Sequence, residues 1–106
     1  MIRHIVIWTL HRAEDAPRFK ALLESCRAIV PGITGFEVGI RTPGLEANAD
    51  VVLVSSFTDE AALAAYQAHP QHQAALKELG AMRASRHVVD YRADYCADYS
   101  ADHRVD

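Results

Sequence analysis

The spacing of apolar and polar positions divides the chain into four strands and two helical stretches. Residues 2–10 alternate as a strand, with Ile2, His4, Val6, Trp8 and Leu10 on one face and Arg3, Ile5, Ile7 and Thr9 on the other. Both faces are apolar in the middle, as in a strand covered on both sides. From about Asp15 the pattern lengthens to a helical period. Phe19, Leu22, Leu23, Cys26, Ile29 and Val30 form one stripe, Pro17 is tolerated in the first turn, and Pro31-Gly32 is the stop. A second strand covers 33–41 through Ile33, Phe36, Val38 and Ile40, followed by a loop punctuated by Pro43-Gly44. A third strand at 50–57 is again apolar on both faces. Thr58 is expected to cap the next helix, whose first turn carries Asp59 and Glu60 at the end that favours negative charge. That helix runs to Ala68, and a second piece spans about Pro70 to Leu79, closed by Gly80. A fourth strand covers roughly 82–92.

The order is βαββαβ, which predicts an α+β, ferredoxin-like antiparallel sheet with both helices on one face. Helices on one face leave the other bare, yet strands one and three are apolar on both. A second copy of the same sheet is the simplest cover, so the expected assembly is a homodimeric α/β barrel joined through the sheet face.

Composition narrows the partners. At 106 residues the chain makes one domain, and a net charge of −3 offers no basic field for nucleic acid or an anionic membrane. No apolar run approaches the roughly 20 residues a membrane span needs, and Met1-Ile-Arg-His-Ile5 lacks the features of a signal peptide. Cys26 and Cys96 have no metal-ligand spacing and read as free thiols of a cytoplasmic protein. The domain is expected to end near residue 92. Beyond it, 93–106 form a polar tail with a Tyr-x-Ala-Asp quasi-repeat, either loose or packed on a partner by its tyrosines.

The candidate chemistry lies in Ala65-Tyr-Gln-Ala-His-Pro-Gln-His72, where a phenol and two imidazoles surround a proline. Proline disfavours helix at the residue before it and suits the first turn of a new one. His69 is therefore a corner and cap residue, and His72 lies in an opening turn whose dipole favours neutral imidazole. Neutral imidazole beside a hydroxyl suits a general base. Each residue also has a plainer reading: His72 as a surface or capping imidazole, Tyr66 as core, His4 as a satisfied histidine on an apolar strand. Asp90 needs a partner in any case, either Arg86 or a histidine, while Arg86 and His87 are equally edge residues that discourage aggregation. His69, His72 and His4 do not suggest a metal site, because the proline interrupts the helical spacing and no carboxylate or cysteine joins them locally. No cofactor is expected, since no phosphate-cradling glycine loop is present.

The start Met1-Ile-Arg-His-Ile-Val-Ile7, Ile29-Val-Pro-Gly-Ile33 ahead of Gly35-Phe-Glu-Val-Gly39, Ala64-Ala-Tyr-Gln-Ala-His-Pro-Gln-His72 and Val88-Val-Asp-Tyr91 occur in that order. Together they resemble the stress-responsive dimeric α/β-barrel (Dabb) family over residues 1–92. The resemblance implies the ferredoxin-like fold and homodimeric barrel. One branch of that family, the plant olivetolic acid cyclase type, performs a cofactor-free aldol cyclisation of a linear polyketide. By that resemblance His72 corresponds to the base, Tyr66 to its tyrosine, His4 to a pocket histidine and Asp90 to an acid that could orient the base. A second pocket tyrosine falls where this chain has Leu23.

Two functions follow as expectations. The first is a stress-associated, homodimeric protein that binds a small, apolar or carbonyl-containing molecule. The second is a cofactor-independent acid/base enzyme in which His72 takes a proton α to a carbonyl and Tyr66 hydrogen-bonds the enolate oxygen. In the enzyme His4 would assist and Asp90 would fix the tautomer of His72. Val6, Trp8, Leu23 and His69 would line the pocket.

Overall fold

The computed structural model of the chain describes residues 1–93. Cys96 and the repeat-bearing tail from 94 onward lie outside the described residues. Strand β1 (Ile2–Leu10) leads through a short turn to α1 (Ala16–Glu24). Then come β2 (Ile33–Ile40), β3 (Val51–Phe57), α2 (Glu60–Ala68), α3 (Pro70–Met82) and β4 (Arg83–Arg92). The strands pair antiparallel in the order β2-β3-β1-β4, the arrangement expected of a ferredoxin-like sheet.

The predicted faces of β1 hold. Ile2, His4, Val6, Trp8 and Leu10 are all buried toward the helices, joined there by Val51, Leu53, Ser55 and Phe57 of β3. Phe19 and Leu23 of α1, Tyr66 of α2 and Leu79 of α3 close this layer from above. Each such large apolar side chain contributes about 1.5–3 kcal/mol by leaving water. The helices pack over β2 and β3, and β4 extends past them as an edge. Val88 therefore stays 46% exposed although it shares the inner face with Val6.

Three local expectations are corrected. The helix α1 stops at Glu24 rather than running to Val30. The Ser25 hydroxyl donates to the Leu22 carbonyl, and the chain continues in tighter turns through Cys26 N–H to Leu23 O and Arg27 N–H to Glu24 O. Cys26 keeps its buried place without being α-helical. Asp59, not Thr58, caps α2: its carboxylate accepts the Ala62 amide at 2.8 Å. The Thr58 amide instead donates to Gly32 O at 2.8 Å. Gly32 has a φ of 95° and sits so close to Ala62 that a Cβ would meet that residue's Cβ at 2.8 Å. Finally, Gly80 does not end α3. The helix continues through it to Met82, because burying Leu79 and Met82 outweighs the roughly 1 kcal/mol that an interior glycine costs.

Candidate active site

The break between α2 and α3 organises the site. His69 adopts an extended conformation ahead of Pro70, and its Nδ1 accepts the Gln71 amide at 3.0 Å, so it caps α3. Ending α2 at Ala68 frees the carbonyls of its last turn. The Gln67 carbonyl is taken by two side chains of α3: Gln73 Nε2 donates to it at 2.6 Å and His72 Nδ1 at 3.1 Å. A carbonyl only accepts, so Nδ1 of His72 carries the proton and Nε2 holds the free lone pair. The proline break thus sets the tautomer of the residue three positions into the new helix.

Tyr66 lies directly beneath. Its ring centroid is 4.6 Å from that of His72, tilted by 52°, and it also packs against Phe57 at 5.2 Å and Phe36 at 6.3 Å. The hydroxyl makes no hydrogen bond among the described residues, yet it is not sealed from solvent. Burial, and secondarily the nearby Cys26 thiol, pushes the phenol's pKa well above its usual range. Burial likewise lowers the pKa of His72, with the charges of His4, Arg86 and His69 acting in the same sense and the Gln67 hydrogen bond opposing them. Both effects hold the pair neutral: a phenol that donates and an imidazole that accepts.

The sheet supplies the facing wall. His4 stands in register between Ser55 on β3 and Asp90 on β4. The Ser55 hydroxyl donates to the His4 carbonyl at 3.1 Å, and His4 Nδ1 hydrogen-bonds the Asp90 carboxylate. Because the carboxylate accepts, Nε2 is the nitrogen left to face inward. It makes no hydrogen bond among the described residues and is not sealed off. The His4 ring stands edge-on to Tyr66 at 6.4 Å.

These groups surround a cavity of about 370 Å³ between sheet and helices. His4, Tyr66 and His72 line it together with Val6, Trp8 and Leu23. Two assignments are corrected. His69 does not line the cavity, because its ring is turned to the backbone it caps. Asp90 does not orient His72: antiparallel register sets it opposite His4, and the Gln67 carbonyl holds His72 instead.

Leu76 and Leu79 of α3, Gln67 and Gln73 beside His72, and Arg83 and Arg86 of β4 also line the cavity. Helical spacing from His72 through Leu76 and Leu79 was a signal available for the first two. For Arg86 the signal was its even spacing from Asp90 along a strand. Among the described residues no cluster of three or more His, Cys, Asp or Glu side chains is arranged to hold a metal. No helix among them is long and apolar enough to cross a membrane.

Fold and site together describe an α+β protein with a histidine- and tyrosine-lined cavity beneath its helices. The family model described as the stress responsive A/B barrel domain matches residues 2–93, and the chain belongs to that Dabb family. Among solved structures, a dimeric ferredoxin-like protein of unknown function from Bacteroides fragilis is 30% identical, with a TM-score of 0.73 over 87% of this chain and 95% of that one. Another, from Thermobifida fusca, is 26% identical with a TM-score of 0.77, over 87% of this chain and 90% of that one. The fold is also similar to that of SnoaB, a cofactor-independent oxygenase from Streptomyces nogalater. That protein is 16% identical with a TM-score of 0.73, over 92% of this chain and 96% of that one. No curated protein matches the chain.

Proposed function

We propose that this protein catalyses cofactor-independent proton transfer on a small, largely apolar carbonyl compound held in the cavity. One observation carries the reading: His72 contacts the Tyr66 ring while its Nδ1 is consumed by the Gln67 carbonyl, leaving a neutral Nε2 free in the cavity that the two residues line. In the reaction Nε2 accepts the α proton, and the electrons of the broken C–H bond move to the carbonyl oxygen. The Tyr66 hydroxyl then hydrogen-bonds the enolate that forms. His4, oriented by Asp90, presents its Nε2 from the sheet side. A lowered pKa makes His72 a weak base, so its substrate carries an acidic α proton, as between two carbonyls.

The test is exchange of the α protons of a 1,3-diketone into deuterated water, followed by NMR. The native chain should exceed buffer, and His72→Ala should lose about 10²–10⁴-fold of that excess. A native rate no faster than buffer would sink the proposal. A binding role without chemistry is favoured by the apolar wall of Trp8, Leu23, Leu53 and Leu79. In that case a ligand raises thermal stability equally in the native chain and in His72→Ala.

The protein is further inferred to work as a homodimer. Ile5, Ile7, Val52, Val54 and Val89 form a contiguous apolar patch on the bare face of the sheet, with Ile7 39% and Val89 56% exposed. Relatives described as dimeric support this. The two-thiol composition supports a cytoplasmic setting.

A further inference from the structure

Proton transfer leaves Arg83 and Arg86 without a task, although both line the cavity. Their shared placement is not what a regular strand gives, because residues three apart point to opposite faces. The pairing of β1 with β4 explains it. Trp8 lies opposite Arg86 and Thr9 opposite Ser85, but Leu10 lies opposite Arg83, with a register shift between Thr9 and Leu10. Ala84 is taken up in that irregularity as an extra residue. Trp8 and Leu10 both face the helices, so the bulge turns Arg83 back onto the face of Arg86. Bulges beside functional sites commonly re-aim a side chain in this way.

The four ion pairs of the described residues join His4 with Asp90, Arg12 with Glu14, Arg18 with Glu78 and Arg92 with Glu60. Neither cavity arginine takes part. The charge of Arg86 reaches the reacting end, where it helps to lower the pKa of His72. A guanidinium presents a rigid fork of donors that fits a carboxylate through two parallel hydrogen bonds. Along the sheet, Arg86 lies opposite Trp8 and Asp90 opposite His4, so the backbones of the arginine and the His4 end are four residues apart, roughly 13 Å at about 3.3 Å per residue. Val6, Trp8 and Leu79 are among the apolar side chains of the cavity wall.

We propose that Arg83 and Arg86 form a carboxylate clamp, and that the ligand is a carboxylic acid whose apolar body spans from the clamp to the His72–Tyr66 pair. This rests on the cavity being a ligand site, and it names the class of compound the site takes.

Trp8 is the chain's single tryptophan and lines the cavity, so its fluorescence reports occupancy. The full chain is titrated with 4-phenylbutyrate and with 4-phenylbutyramide. The acid should bind about 10-fold tighter than the amide, the scale of a charge-assisted hydrogen bond. Arg83→Gln and Arg86→Gln should each weaken the acid by a similar factor and leave the amide unchanged. Arg86→Lys keeps the charge without the fork and should lose less, which preserves the test if a glutamine variant fails to fold. Equal affinity for acid and amide overturns the clamp while leaving the cavity a ligand site. Binding of neither overturns both. Displacement of the acid by equimolar inorganic phosphate at constant ionic strength overturns the carboxylate assignment in favour of a phosphate ligand.

Discussion

Burial acts on Tyr66 and His72 through one cause, the cost of holding charge away from water, and leaves each in the neutral form that the proposed proton transfer requires. The Tyr66 hydroxyl has no partner among the described residues, so Tyr66→Phe should change stability by less than about 0.5 kcal/mol. Loss of an enolate donor should instead reduce exchange by about 10²–10³-fold. Thermal unfolding and NMR exchange on the same sample separate the two effects. His72 also links stability to pH. Its folded pKa lies below the ordinary value of 6.5, so the unfolded chain binds more protons between the two values. The stability held by neutral His72 is complete above about 6.5 and is lost as pH falls through 6.5 toward the lower folded value. Urea midpoints measured across that window should fall with acidification, and His72→Gln should flatten the slope.

At the scale of elements, the α2–α3 break shows how a local signal becomes a site. Proline and the extended His69 end one helix and start another, and the carbonyl released by that ending fixes the neighbouring imidazole. His69→Ala removes a side-chain cap and should cost about 1 kcal/mol. It should leave 4-phenylbutyrate affinity unchanged, because the ring lies outside the cavity wall. Chemical denaturation and Trp8 titration check both halves. The element boundaries that differ from the sequence pattern have separate causes. Hydrogen bonds of Ser25 and Asp59 set the end of α1 and the start of α2, whereas burial of Leu79 and Met82 carries α3 through Gly80, which a local rule about glycine could not weigh.

At the scale of the whole molecule, the sheet has two unlike faces, which the proposed function gives to the cavity and to the dimer. The inner face carries Trp8, His4 and Asp90, and the outer face carries Ile5, Ile7, Val54 and Val89. Ile7→Lys sets a charge in the middle of the outer patch without touching the cavity. It should shift the protein from dimer to monomer in sedimentation velocity, with a lowered unfolding midpoint, because the buried apolar area is then lost. A dimer that persists in this variant and in Val54→Lys would count against association through this face.

The sequence by itself determined the four strands, the inner parity of β1, the helix break at His69 and the family. All of these are written in nearest-neighbour chemistry: alternation, helical spacing, and the conformational limits of proline. It also brought His4, Tyr66 and His72 forward as residues worth relating. Only the tertiary structure decided the partners. Asp90 went to His4 rather than His72 because antiparallel register sets residues opposite one another across strands 86 positions apart in the chain. Arg83 joined Arg86 because a bulge overrode strand alternation. Pairing across the sheet depends on register, and register is set by the whole packed layer rather than by any segment of the chain.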